Sequence, residues 1–292
     1  MRHIGRQNAC YRMSSEHRPV LTVAQDEMFC IETEDCYSGN LRSPQDRFTR
    51  DMWSTENPAT GPIFISGTGP SSILRVDIVE IKIRDHAVMC VEHGSGALGD
   101  VIEGVETSLL PIENGRLVLN HAFSVPIQPM IGVIGTAPKG RAVLNGTPGE
   151  HGGNMDCKMI TAGSVVYLPV NVPGALLSLG DLHAVMGDGE VCICGAEVSG
   201  EVVLKARLAS ARMPTPCVET EQHIHVIASA LTLDECERLV LRKAHAFLTG
   251  TGGLSANEAA RVMSLVGDLH VCQVVDPLKT MRYSIPKVLV NP

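Results

Sequence analysis

The sequence has 292 residues, 44% apolar and 19% charged, with a mean hydropathy of +0.11. Lys and Arg number 24 against 32 Asp and Glu, a net charge of −8 with no basic stripe, which argues against a nucleic-acid partner. No apolar run approaches the ~20 residues of a membrane-spanning helix, so no membrane partner is expected.

A chain of this length buries enough surface to need neither disulfide nor structural metal for its core. Residues 1–20 are polar and lack the apolar stretch of a secretory signal; they are expected to be a disordered start to a cytoplasmic protein. The ten cysteines then read as reduced, half-buried small side chains. Cys192-Ile193-Cys194 has the wrong spacing for a redox or zinc CxxC unit.

In chain order, 28 Gly and 17 Pro punctuate many short apolar stretches, the pattern of turns between strands. Strands are predicted at Pro62–Ser66, Ile73–Ile83, Ala87–Glu92, Arg116–Leu119, Val125–Ile134, Ser164–Val170, Ala175–Leu179, Val191–Val198 and Glu201–Leu208. Within Ile73–Ile83, Leu74, Val76 and Ile78 alternate with Arg75 and Asp77, as in a half-buried strand. Glu190–Leu208 reads as a hairpin turning at Ser199-Gly200. Trp53, the single tryptophan, reads as an anchor for the loop before Asn57-Pro58.

Two capping boxes, Thr232–Glu235 and Ser255–Glu258, open predicted helices with Cys236, Leu239, Val240 and Phe247, then Ala259, Val262, Met263 and Val266, facing inward. The expected fold is mainly β: a β-sandwich or barrel-like core at 21–230 carrying the site. A C-terminal β-α-α-β appendage at 231–292 packs on it. Exposed strand edges in such a chain favour a homo-oligomer.

Polar chemistry concentrates between Gly146 and Glu190. Glu150, His151, Asn154 and Asp156 fall within seven residues on a Gly-rich backbone that lets a ligand approach closely. Asp181 and His183 would share one face of an extended segment and could ligate a metal; the alternative is turn-capping and core hydrogen bonding. His223-Ile224-His225 and His270 have no nearby carboxylate and read as surface or core histidines.

Several long stretches carry a family resemblance: NPATGPIF (Asn57–Phe64), GVIGTAP with HGGNMDCK (Gly132–Pro138, His151–Lys158), YLPVNVPGALLSLGDLHAVMGDGEV (Tyr167–Val191) and GDLHVCQVVDP (Gly267–Pro277), with ETEDCYSG (Glu32–Gly39) before them. Their order resembles the acetamidase/formamidase family from about residue 20 onward. The resemblance implies a β-sandwich or barrel-like fold, an oligomer, and hydrolysis of a short amide substrate to ammonia and a carboxylate. It also implies a divalent metal cofactor, zinc or calcium. The chain departs from the family pattern at Ile65–Ser72 and at Leu182 and Met186, where the family has Gly and Gln. A γ-lactam substrate, or a silent member that binds a ligand or metal without turnover, are the alternatives.

No GxSxG elbow and no amidase Ser-Ser-Lys or nitrilase Glu-Lys-Cys setting is evident. Cys157 adjoins Asp156, which would raise its pKa, and so reads as a buried thiol. Beside the resemblance, Asp156, Asp181 and His183 form the expected metal set. Zinc suits that mixture of imidazole and carboxylate, whereas calcium prefers six to eight oxygens. Glu150 is the expected general acid and base, with His151 and Asn154 orienting it or binding the amide; Asp188 and Glu190 read as turn and strand residues.

Overall fold

The structure is a computed structural model that describes residues 1–290, with the side chains of Arg50, Asp51 and Trp53 outside the description, so the expected role of Trp53 lies outside the described residues. Two open sheets pack face to face. The nine-stranded sheet runs, in spatial order, Arg2–Ile4, Met28–Thr33, Gly200–Leu208, Ile73–Ile83, Val165–Pro169, Cys217–Glu219, His223–Ala230, Lys279–Pro286 and Asp268–Gln273. In the eleven-stranded sheet, Leu177–His183 lies centrally, paired with Met130–Gly135 on one side and with Glu197–Val198 and Ala59–Ile65 on the other. Neither sheet closes, so the sandwich expectation holds and the barrel one does not.

One apolar cluster joins the inner faces. Phe29, Ile31, Leu74, Val76, Ile78, Val202 and Leu204 from the nine-stranded sheet meet Ile63, Ile65, Ile131, Ile134, Leu177, Leu179 and Leu182 from the other. The predicted alternation in Ile73–Ile83 is observed: Leu74, Val76 and Ile78 are buried, while Arg75 and Asp77 form an ion pair on the other face.

Both predicted helices form, α1 (Leu233–Gly250) and α2 (Ala256–Val266), each with both hydrogen bonds of its capping box. They cover one face of the nine-stranded sheet, where Cys236, Val240, Ala244 and Phe247 pack on Val226, Met281 and Tyr283. Only Ala259 of α2 is fully buried, and Val266, expected inward, is exposed. The strands that flank these helices in sequence extend the nine-stranded sheet itself.

Three expectations are corrected. Residues 1–20 are not disordered: Arg2–Ile4 adds in parallel to Met28–Thr33, and Ala9–Cys10 pairs with Ala59–Ile65. Their core contribution is sparse, resting on Ile4 and Met13, and the intervening polar residues hid it. Glu190–Leu208 is not a hairpin. Glu197–Val198 belongs to one sheet and Gly200–Leu208 to the other, so the chain crosses the sandwich at Ser199 and both halves reach the same core. Finally, Val125–Ile134 splits into Phe123–Pro126 and Met130–Gly135, because Pro126 and Pro129 lack the N–H a continuous ladder needs.

Removing the α1 cap tests how firmly that helix is held. Thr232→Ala should lose the bond from the Glu235 N–H and cost about 1 kcal/mol, lowering the urea midpoint without changing its slope.

Candidate functional site

Residues Leu177–His183 are buried throughout, yet the side-chain alternation changes phase within the strand. Leu177 and Leu179 enter the core, and so do Leu182 and Ala184. Strict alternation would have sent Asp181 and His183 into the core after Leu179. Asp181 instead adopts φ +56°, in the left-handed region, and its carboxylate faces a cavity on the other side. Asp156 (φ +43°) and Glu190 (φ +48°) share this uncommon backbone state. Strain of that kind persists only where the surroundings impose it, and it concentrates at functional sites.

Each partner is delivered by a separate element. The Met155 and Asp156 N–H groups donate to the Gly132 carbonyl, which holds the loop after Gly152–Asn154 against the next strand. A Cβ at Gly132 would lie 2.4 Å from Asp181 Oδ2 and 2.5 Å from Asp156 Oδ1, so glycine here lets both carboxylates converge. Glu197 sits directly across the ladder from His183, and its Oε1 accepts from the Gly195 N–H. Glu190 rides on a loop pinned to Asp268–Gln273 through Gly189. In the family-like C-terminal stretch, buried Gln273 accepts from the N–H groups of Val275 and Asp276, presenting Asp276 to the cavity.

These elements converge on one imidazole. His183 Nε2 lies 3.2 Å from Glu197 Oε1, 3.4 Å from Asp181 Oδ1, 3.9 Å from Asp156 Oδ1 and 4.0 Å from Glu190 Oε1, and none of the five side chains is more than 5% exposed. Among the described residues, both oxygens of Asp156, Asp181 Oδ1, Glu197 Oε2, Asp276 Oδ2 and both His183 nitrogens lack a hydrogen-bond partner.

So much negative charge cannot stay ionised away from water. Burial, reinforced by neighbouring carboxylates, pushes Asp156 up to about 7 and holds Glu190, Glu197 and Asp276 well above the usual carboxylate range. Burial opposes charge on His183 as well, but Glu197 and Asp181 outweigh it and push it up to about 10. Asp181 goes the other way: His183 overcomes the effect of burial and holds it low. Unpartnered, convergent oxygens beside an imidazole are a donor set that fits a divalent cation, which would displace the bound protons. Within the cluster, Asp156, His183 and Glu190, and Cys36, Asp181 and Glu197, each bring three donor atoms within 4.8 Å of one another.

Asp181, Glu190, Glu197 and Asp276 line a cavity of about 450 Å³, whereas Asp156 and His183 are not part of its lining. Glu56 lines it, raised to about 7 by burial and the charge of Asp181. Asn154 and Asn145 line it too, each with an unpaired Oδ1. The Asn145 amide is fixed, because its Nδ2 already donates to the carbonyls of Cys10 and Asn57.

The structure thus brings together Asp156, Asp181, His183 and Asn154 of the expected site residues. Glu150 lies elsewhere: its carboxylate is 69% exposed and pairs with Lys243 Nζ at 2.8 Å. The turn at Gly149–Gly152 points it toward α1, away from the cluster. His151 is buried with Nε2 unpaired and depressed to about 4 by burial, but it does not line the cavity. Asp188 has a structural role, bound by Arg282 and Lys158.

Leu182 points into the core and does not crowd the ligand pair, and Met186 is buried without lining the cavity. Cys157 is buried, as expected, although a hydrogen bond from Cys272 lowers its pKa where Asp156 was expected to raise it. His225 bonds to Ser284 and Thr220 as a core histidine. Sequence reasoning missed Glu56, Asn145, Glu197 and Asp276 and ranked Glu190 low; Glu56 adjoins one recognised motif and Asp276 lies within another, which was the available signal.

A β-sandwich with a buried carboxylate–imidazole cluster beside a cavity is a scaffold with a donor set fit for a divalent cation, and comparison with known proteins places it in a family. The family model of the acetamidase/formamidase family matches residues 140–232. An acetamidase structure from Bacillus halodurans superposes with a TM-score of 0.96 at 42% identity, covering 98% of this chain and 97% of that one. An acetamidase from Yersinia enterocolitica gives 0.90 at 26% identity, covering 99% and 92%. The formamidase of Methylophilus methylotrophus is 52% identical over 237 residues, 61% of this chain and 58% of that protein. The chain belongs to the acetamidase/formamidase family. Its matches span about three fifths of the length of the curated relatives.

The role of Gly132 is open to test. Gly132→Ala should drive Asp156 and Asp181 apart, cost 1–3 kcal/mol by overpacking, and reduce divalent-metal retention. Urea melts and metal analysis of the purified variant check both effects.

Proposed function

We propose that this protein hydrolyses primary carboxamides of small aliphatic acids, releasing ammonia and the carboxylate. The observation that carries this reading is the buried cluster of orphaned carboxylate oxygens around His183, set beneath a cavity with two unpaired asparagine oxygens. Membership of the family, with its relatives named formamidase and acetamidase, supports it.

The two asparagine oxygens suit the amide nitrogen. Asn145 Oδ1 and Asn154 Oδ1 can each accept from an –NH₂ group, and the fixed orientation of Asn145 excludes the reverse sense. Asp156, His183 and Glu190 would hold the divalent metal, zinc by the presence of the imidazole. When bound, it supplies Lewis-acid polarisation of the carbonyl.

Proton traffic falls to two carboxyl groups whose environments drive them apart. Asp181, which lines the cavity, takes a proton as water oxygen bonds to the carbonyl carbon. Glu56, protonated near neutrality, gives one to the nitrogen as the carbon–nitrogen bond breaks. Ammonia leaves, and Asp181 and Glu56 exchange their proton through solvent in the open cavity. This arrangement replaces the expectation that Glu150 performs both transfers.

Other features of the reading concern setting. All ten cysteines are free, which suits a reducing compartment such as the cytoplasm. No helix among the described residues is long and apolar enough to cross a membrane. Leu231, Val266 and Leu269 are exposed, and Leu265 is 80% exposed, around an edge strand of the nine-stranded sheet, a surface suited to a second copy. Light scattering at micromolar concentration should give a mass of two or more chains; a monomeric mass would remove the oligomer from this account.

Zinc-loaded protein should release ammonia from acetamide. His183→Ala should lose metal and turnover together, and Glu56→Gln should keep the metal while losing 10²–10⁴-fold in rate, a typical general-acid effect. Glu150→Gln should retain activity. A Glu56→Gln enzyme at full rate beside an inactive Glu150→Gln enzyme would return the proton donor to Glu150.

A further inference from the structure

The two helices cover only one end of the outer face of the nine-stranded sheet, over His223–Ala230 and Lys279–Pro286. At the other end lie Arg2–Ile4, Met28–Thr33 and Gly200–Leu208, side by side. From these strands Ile4, Phe29, Ile31 and Val202 enter the core between the sheets. Alternation therefore turns their neighbours His3, Cys30 and Glu201 to the outer face. His3 stands directly opposite Cys30 in the parallel ladder. Cys30 in turn faces Val203, and Glu201 is the next residue along that strand on the same face.

The register brings three different donors together. An imidazole nitrogen, the Cys30 thiol and a carboxylate oxygen lie within 4.8 Å of one another, and His3 Nε2 is 3.8 Å from Glu201 Oε1. A tetrahedral zinc ion separates sulfur, nitrogen and oxygen ligands by about 3.4–3.6 Å, given its bond lengths. Cys30 is buried and fixed in the middle strand, whereas His3 and Glu201 are 49% and 45% exposed and free to close the difference. Neighbouring cations are engaged elsewhere. Lys82, opposite Glu201, pairs with Glu80 at 3.1 Å, and Arg6 and Arg84 turn to Glu32. The carboxylate of Glu201 is left facing His3 and the thiol.

We propose that His3, Cys30 and Glu201 form a zinc site on this outer face, separate from the buried cluster, with water in the fourth position. The thiol gives its proton to solvent as the zinc–sulfur bond forms, while the neutral imidazole and the ionised carboxylate coordinate through lone pairs. Thiolate and imidazole together select zinc over calcium or magnesium, which take oxygen ligands. The ion ties Arg2–Ile4, an edge strand of only 3 residues, to both strands beside it. The chain that follows supplies Tyr11 to the cavity and the Cys10 carbonyl that fixes Asn145. Zinc here braces that part of the cavity from outside, whatever reaction the cavity performs.

Cobalt(II) occupies zinc sites and reports a thiolate ligand through a charge-transfer band in the near ultraviolet. Titrating the purified full-length protein with cobalt(II) should produce this band, and added zinc should abolish it. The band should vanish in Cys30→Ser and persist in Cys36→Ser, which removes the thiol beside the buried cluster. His3→Ala alters an exposed side chain and leaves the fold intact; it should weaken cobalt binding by about tenfold or more, read from the titration midpoint. Zinc should also slow amide hydrogen exchange in Arg2–Ile4 of the parent protein and not in His3→Ala. A band absent from the parent protein, surviving in Cys30→Ser or lost in Cys36→Ser overturns the proposal. A midpoint or an exchange rate unmoved by His3→Ala does the same.

Discussion

Carboxylates crowded together away from water must either stay protonated or gather around a cation, and this molecule is arranged about that constraint. Asp156, Asp181, Glu190 and Glu197 close on His183, and all five side chains are nearly buried. In an apolar core, isolated charges of this kind would carry a penalty of several kcal/mol each. Here their environments separate them into groups that hold protons and one that does not. The same electrostatics that would destabilise the fold thereby leave a set of unpartnered donor oxygens and one ionised carboxylate.

The sandwich meets the geometric side of the constraint by breaking its own regularity at a few positions. Alternating side chains give a sheet two chemically uniform faces. A phase change at Asp181 lets one strand feed leucines to the core on both sides of that residue, whose carboxylate meets that of Asp156 elsewhere. Gly132 opposite removes the atom that would collide with both carboxylates. These departures cost local backbone stability and are supported by the long, regular ladders around them, such as Ile73–Ile83 against Gly200–Leu208.

Much of the fold was legible in the sequence where one signal dominated. The two capping boxes and the alternation in Ile73–Ile83 depend on near neighbours, and both were found where expected. Met28–Thr33 and Val105–Glu113 escaped notice; the second carries Pro111, a residue that usually argues against a strand. The Ser199 crossing was unreadable because a hairpin and a sheet-to-sheet passage share one local pattern. In the site, Asp156, Asp181 and His183 were legible as ligand types in Gly-rich segments. Glu197 and Asn145 were not, since each owes its place to partners far away in sequence, His183 across the ladder and the carbonyls of Cys10 and Asn57. Glu150 misled for the complementary reason: it is close to Asp156 in sequence, but the turn between them directs it to Lys243 on α1.

The walls and floor of the cavity draw on Tyr11 near one end of the chain and Asp276 near the other, with Glu56, Asn145 and Asp181 between them. A pocket assembled across such sequence separations cannot exist in a fragment or a partly folded intermediate. The loop-closure entropy of nearly the whole chain has to be met before its last wall is in place. Substrate capture is therefore coupled to the completion of folding, and any activity the protein shows is also a readout of its fully assembled fraction.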